Sequence, residues 1–246
     1  MFNNINNINA IQAGFSTRSD GNLALHVGDD PQAVIARREA FAAAAGFDFA
    51  AWTCADQVHG VDIAHVTAAE VGAGRHALHD KLDGYDGLLT DLPGVMLVSF
   101  YADCVPLYFV DPVKRVVGLA HAGWKGTVGG IAAGMVHQMV QRYGCAVTDI
   151  QAAIGPAIGP CCYEVDDTVI NAINNQMGRT VYPPGKAMVD LKKINQEIMI
   201  REGILSTNID MSASCTSCQT DMYFSHRAEH GKTGRMASWI GIQAEA

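Results

Sequence analysis

The sequence predicts a mixed α/β protein, α+β in class, forming a single domain over residues 1–246. Strand-length runs rich in β-branched residues are interspersed with helical segments along the chain. The helical segments start at capping carboxylates and stop at glycines. No linker-like shift in composition divides them, and no internal repeat is visible. With 49% hydrophobic and 17% charged residues, the chain has apolar material for a sizeable core.

Residues 1–12, rich in Asn and Ile, follow no helix or strand period and are expected to be a flexible tail. A turn at Ser19-Asp20-Gly21-Asn22 precedes a short strand over Leu23 to Val27. Asp29-Asp30-Pro31 starts a helix through Val34, Arg38, Phe41 and Ala45, and Gly46 stops it. Trp52 to Val58 reads as a strand ending at His59-Gly60, with Val61 to Val66 extended beyond it. Residues 68–84, holding Gly72, Gly74, His76 and His79, read as an exposed loop. Asp86 to Thr90 is a short strand before the Pro93-Gly94 turn.

The stretch from Met96 to Thr127 carries two buried-strand patterns. One ends at Ala102-Asp103-Cys104, the other at His121-Ala122-Gly123-Trp124. The clearest helix follows, with Val128, Ile131, Ala132, Met135, Val136, Met139, Val140 and Tyr143 on one face and Gly144 as its stop. Its N-terminus would turn backbone N–H groups toward the ends of the two strands, an arrangement that favours an anion. Ile150 to Ile154 is a strand and residues 155–160 a Gly/Pro loop. Helices run from Asp166 to Gly178 and from Asp190 to Gly203. Residues 223–242 read as strand, basic loop and final strand.

The net charge of −8 gives no basic footprint for nucleic acid and no polybasic membrane patch. No run approaches the length of a membrane span, and the opening residues lack the pattern of a signal peptide. Seven cysteines, odd in number, scattered and including an adjacent pair, argue against a disulfide framework. The expectation is a cytoplasmic protein.

Cys104 and His121 at strand ends are either metal ligands or a nucleophile and its base. His59, at a third strand end, would complete a His/Cys/His set that leaves one zinc position open. Ordinary buried residues are the competing reading for each. Cys215-Thr216-Ser217-Cys218 needs a second ligand pair to be a structural zinc site, and the nearby candidates in sequence are His226 and His230. Cys54, Cys145, Cys161 and Cys162 read as core or loop cysteines, and His137 as a surface residue. Arg18, Lys125, Arg227 and Arg235 have small neighbours that leave backbone donors open to phosphate, Lys125 foremost; a plain surface charge is the alternative for each. Asp103 is either a partner of Cys104 or a turn-capping carboxylate.

Several motifs together resemble the laccase-domain (multicopper polyphenol oxidase-like) family of purine nucleoside phosphorylases. They are Phe15-Ser16-Thr17-Arg18, residues 26–31, Gln57-Val58-His59-Gly60, Asp86-Gly87-Leu88-Leu89-Thr90, Ala102-Asp103-Cys104-Val105-Pro106, residues 121–127, residues 154–159, Tyr223-Phe224-Ser225-His226-Arg227 and Thr233-Gly234-Arg235. The resemblance implies a layered αββα sandwich with mixed sheets. It also implies zinc held by His59, Cys104 and His121, with those residues catalytic and copper admissible at the same ligands. The implied activity is phosphorolysis of adenosine, inosine and methylthioadenosine, with adenosine deamination beside it. Arg18 and Lys125 would then bind substrate, and Lys125 stands where arginine is common. Purine nucleosides and phosphate would be the partners of a monomer or homodimer. A true laccase needs a blue copper and a trinuclear cluster fed by many histidines, several as His-x-His pairs. Nine histidines with no His-x-His argue against it. A Cys104–His121 cysteine hydrolase and a metal-binding, redox-sensing or polyphenol-oxidising protein are the alternatives.

Overall fold

The computed structural model describes residues 3–77 and 82–244. The first half contains α1 (Asn3–Asn6), β1 (Ile11–Phe15), α2 (Pro31–Ala44), β2 (Trp52–Cys54), β3 (Ile63–His65), β4 (Gly87–Thr90), β5 (Met96–Tyr101) and β6 (Val105–Asp111). Then come β7 (Val116–Ala122), α3 (Trp124–Gly129), α4 (Ile131–Tyr143), β8 (Gln151–Ile154), β9 (Glu164–Val165) and α5 (Asp167–Met177). The remainder is β10 (Ala187–Met188), α6 (Leu191–Arg201), β11 (Ile209–Met211) and β12 (Met236–Ile242).

A four-stranded mixed sheet has the order β1-β12-β5-β2, and a six-stranded mixed sheet the order β11-β8-β6-β7-β4-β3. The facing surfaces of the two sheets share a core of Ile11, Leu97, Ile240 and Ile242 with Leu88, Tyr108, Val117 and Leu119. A second core packs Leu107, Phe109 and Ala120 under Ile131, Met135, Ile170 and Ile198 of the helices. A third sets Trp52, Met96, Val98 and Trp239 against Leu23 and Ala42, so α2 covers the outer face of the smaller sheet. The order is therefore helix, sheet, sheet, helices. Strands β5, β6 and β7 have a layer on both faces and are buried at every position. That is why they read as continuous apolar runs without alternation.

Several local expectations give way to tertiary structure. Leu23 to Val27 forms no strand; Leu23 donates its N–H to Arg235 O at 3.2 Å, and the Asn22 side chain brackets Ala24. The helix expected to run unbroken through residue 143 is divided at Gly130, whose left-handed φ of 82° lets its N–H close α3 onto the carbonyls of Gly126 and Thr127. Strand β2 stops at Cys54, four residues short of expectation, and Tyr223-Phe224 forms no strand, lying in a bend and irregular chain. Strands β9, β10 and β11 were not foreseen because each is only two or three residues long. Among residues 3–12, expected to form a tail, there is a helical turn, and Ile5 and Ile11 are buried between the sheets. The Asn-rich spacing hid them because neither belongs to a periodic run. His79 lies outside the described residues.

Two chain crossings between the sheets position the chemistry. Residues 102–104 lead from β5 of the smaller sheet into β6 of the larger, and residues 55–62 lead from β2 into β3. In the larger sheet β6 runs antiparallel to β7, with Val105 opposite Ala122 and Pro106 opposite His121. Cys104 before β6 and His121 near the end of β7 therefore share one end of the sheet.

Replacing Ile5, which is 0% exposed, by Ala should cost about 2–4 kcal/mol of unfolding free energy. Urea denaturation measures it; a change near zero would show that this segment is not part of the core.

Candidate functional site

His59, Cys104 and His121 converge, with their ligand atoms all within 4.8 Å of one another. They graduate from exposed His59 through half-buried Cys104 to buried His121. A buried carboxylate, Asp86, arranges them. Its Oδ1 lies 2.7 Å from His121 Nδ1, which leaves Nε2 as the ring nitrogen for the thiol or a metal. The same carboxylate accepts the backbone N–H groups of Val58 (3.1 Å), His59 (3.1 Å) and Gly60 (2.7 Å). Its carbonyl takes the His121 N–H at 2.7 Å. His59 adopts φ 60°, a left-handed conformation uncommon for a side-chain-bearing residue, and the three bonds to Asp86 hold it there. Sequence reasoning placed Asp86 in a strand motif and missed this role. Its signal is an acidic residue opening an apolar strand, which carries no meaning until the fold brings it to His121.

The electrostatics suit a metal. Burial raises the Cys104 thiol, but the His121 charge and hydrogen bonds from His121 and His59 outweigh it and bring the group down to about 6. Burial lowers His121, yet the Cys104 charge and Asp86 lift it to about 9. Asp86 stays below the usual carboxylate range: burial raises it, and His121 with the backbone N–H groups more than compensates. A thiolate and two imidazoles converging on one point match the donor set of an open-sited zinc. Gly123 makes room for them. A Cβ there would lie 3.1 Å from Cys104 Sγ and 3.2 Å from His59 Cδ2.

The three residues line a cavity of about 500 Å³, within the range of small-molecule sites. Its wall includes Phe100, Tyr163, His226, Arg227 and Arg235. Burial, with the charges of Cys104 and Asp103 nearby, keeps Tyr163 protonated up to about 12. Arg227 donates to the carbonyls of Cys162 and Glu164, and Arg235 to those of Thr233 and Gly234, so both guanidinium groups are fixed. Arg18 and Lys125, the cations favoured from sequence, are not among the lining residues. Arg18 pairs with Glu229 at 2.8 Å and lies 4.4 Å over the Phe224 ring, and Lys125 is exposed beside Trp124. Asp103, with φ 84°, accepts from Thr216 Oγ1 (2.6 Å), Ser225 Oγ (3.1 Å) and Arg227 N (2.7 Å). It therefore organises the crossing loop.

The cysteines separate differently from the sequence reading. Cys54 and Cys145 are buried. Cys161 and Cys162, read as core or loop residues, instead join Cys215 and Cys218 in a second cluster whose sulfurs lie within 4.8 Å of one another. The second pair that the Cys-x-x-Cys required is thus far away in sequence, and it is not His226 and His230.

Asp86→Ala should weaken the binding of any divalent metal taken up by His59, Cys104 and His121 by about 10–100-fold, as loss of an outer-shell carboxylate does; competition with a chromophoric chelator reads it, and unchanged affinity would remove Asp86 from the site. In metal-free protein, alkylation of Cys104 by iodoacetamide should rise with pH to a half-point near 6 and be flat above pH 7. Peptide mass spectrometry reads that profile; a half-point near 8.5 would mean that His121 does not hold the thiolate.

Known proteins resemble the chain over nearly its whole length. Residues 11–243 match the family described as multi-copper polyphenol oxidoreductase laccase. The purine nucleoside phosphorylase YlmD of Geobacillus stearothermophilus is 43% identical over 248 residues, covering 95% of this chain and 90% of that protein. The enzyme of the same name from Bacillus subtilis is 39% identical over 250 residues, 94% of this chain and 88% of that one. The crystal structure of a hypothetical protein, YfiH, from Bacillus licheniformis superposes with a TM-score of 0.91 at 43% identity, covering 96% of this chain and 94% of the other. Matched over nearly its whole length, the chain belongs to the laccase-like polyphenol oxidoreductase family.

Proposed function

We propose that the protein is a zinc-dependent purine nucleoside phosphorylase acting on adenosine, inosine and methylthioadenosine, with adenosine deaminase activity at the same centre. The observation that carries this reading is the convergence of His59, Cys104 and His121 on the wall of a nucleoside-sized cavity. The names borne by the relatives support the reaction class. Bound zinc would supply a Lewis acid with one position open to the cavity. Asp86 would keep His121 in the ligating tautomer and hold the His59 loop in register.

In phosphorolysis an oxygen of phosphate attacks C1′ of the ribose, and the purine leaves with the electrons of the glycosidic bond. Arg227 and Arg235, fixed on the wall, would hold the phosphate, in place of the Arg18 and Lys125 expected from sequence. Phe100 and Tyr163 offer aromatic surface to the purine. Copper is admissible at the same three ligands. Seven cysteines, odd in number and scattered along the sequence, support a reducing, cytoplasmic setting.

The test measures metal content and release of free base from inosine with and without phosphate. Base release should depend on phosphate and fall by about 100-fold or more in His59→Ala, since losing a ligand exceeds the loss of an outer-shell partner. Arg235→Ala should raise the KM for phosphate about 10-fold or more while zinc content stays unchanged. A metal-free protein that remains active with His59 removed, and dies on alkylation of Cys104, would be the cysteine hydrolase instead.

A further inference from the structure

We propose that Cys161, Cys162, Cys215 and Cys218 form a second metal site, a tetrathiolate zinc centre that staples together the two loops forming one side of the cavity. The geometry points to it first. All four sulfurs lie within 4.8 Å of one another, and Cys218 Sγ is 3.3 Å from both Cys161 Sγ and Cys162 Sγ. A tetrahedral zinc with bonds of about 2.3 Å sets its sulfurs about 3.8 Å apart. Small shifts of the exposed Cys161 and Cys218 would reach that spacing.

The backbone is also arranged for a thiolate. Gly159 donates its N–H to Cys215 Sγ at 3.1 Å. Cys218 N and Gln219 N close a tight turn onto Cys215 O at 3.2 and 3.1 Å, while Cys162 N and Tyr163 N close another onto Gly159 O. Each half of the cluster is thus a compact turn that presents two sulfurs. An Ala157–Cys215 bridge sets the two turns side by side.

The charges around the cluster fit the same reading. Several thiols crowded together resist ionising because each new charge repels the others. Only a cation at the centre lets all four ionise, with release of their protons. The Lys192 ammonium, buried and donating to Ser212 O (2.7 Å) and Ser214 O (2.8 Å), lies within the field of Cys215 and Cys161. It would offset part of the −2 charge of a zinc tetrathiolate. A disulfide satisfies the cluster less well: Cys218 faces two sulfurs and can bond only one, and Cys215 would keep an N–H donor aimed at an unionised thiol.

The consequence lies at the cavity. One tied loop carries Ile158 and Tyr163, and the other leads to His226 and Arg227, all of which line it. The centre would therefore have a positioning role, separate from the metal proposed at His59, Cys104 and His121.

Zinc should be counted by mass spectrometry in the full chain, in Cys161→Ser/Cys218→Ser and in His59→Ala/His121→Ala, beside thiol titration after denaturation in chelator without reductant. The expected counts are about two zinc ions in the parent and about one in each double variant, with all seven thiols titratable in the parent. Cobalt loaded into His59→Ala/His121→Ala should show the intense thiolate charge-transfer bands of a four-sulfur site, a reading that stands even if the cysteine variant does not fold. About one zinc in the parent that vanishes with the histidines would overturn the second site. So would two missing thiols, which mean a disulfide. About one zinc that survives removal of the histidines would support the cluster and count against the first centre instead.

Discussion

The site depends on a single buried carboxylate. Asp86 lies at the head of β4, accepts three successive backbone N–H groups from residues 58–60 and pairs with His121 on β7. A carboxylate buried without partners would be costly by several kcal/mol. Here the bonds that offset the burial also place the candidate ligands His59 and His121. The left-handed turn at His59, the tautomer of His121 and the approach of the two sheets at this end are three results of one neutralised charge.

How much of this was legible in the sequence follows the range of the interactions. Cys104 and His121 could be read because β-branched runs stop beside them, which is a local signal. The alternation of strands and helices gave the class, and capping residues gave the ends of α2, α5 and α6. Asp86 could not be read, because its meaning comes from an imidazole 35 positions later. Cys161 and Cys218 could not be paired for the same reason, being 57 residues apart. Arg38 is a further case: it was read only as part of the helix that became α2, and its burial comes from the carbonyls of Leu23, Gly74 and Arg75, which receive its guanidinium between Trp52 and Phe100. Small neighbours marked Arg227 and Arg235, which line the cavity, and equally Arg18 and Lys125, which do not, because the criterion is blind to which way the backbone carries a side chain.

The family description and the donor chemistry speak to different things. Among the described residues, two groups of donors converge, one of two histidines and a cysteine and one of four cysteines. Neither resembles the histidine-fed trinuclear arrangement that four-electron oxygen reduction needs. A shared fold hosts different chemistries through the residues at its site, and the donor set of His59, Cys104 and His121 is that of a mononuclear, open-sited centre.

The place of β12 has a consequence for biogenesis. It sits between β1 and β5, pairing with both, yet it comes from residues 236–242. Until those residues leave the ribosome, β1 and β5 each present an unpaired apolar edge, and the smaller sheet exists only as halves. The cavity wall at Phe100 is finished by the same event, because β12 pairs Ala237 with Phe100. The smaller sheet therefore cannot close before residues 236–242 are available. Its closure is a late, long-range step of the kind that folds slowly and invites chaperone protection in the interval.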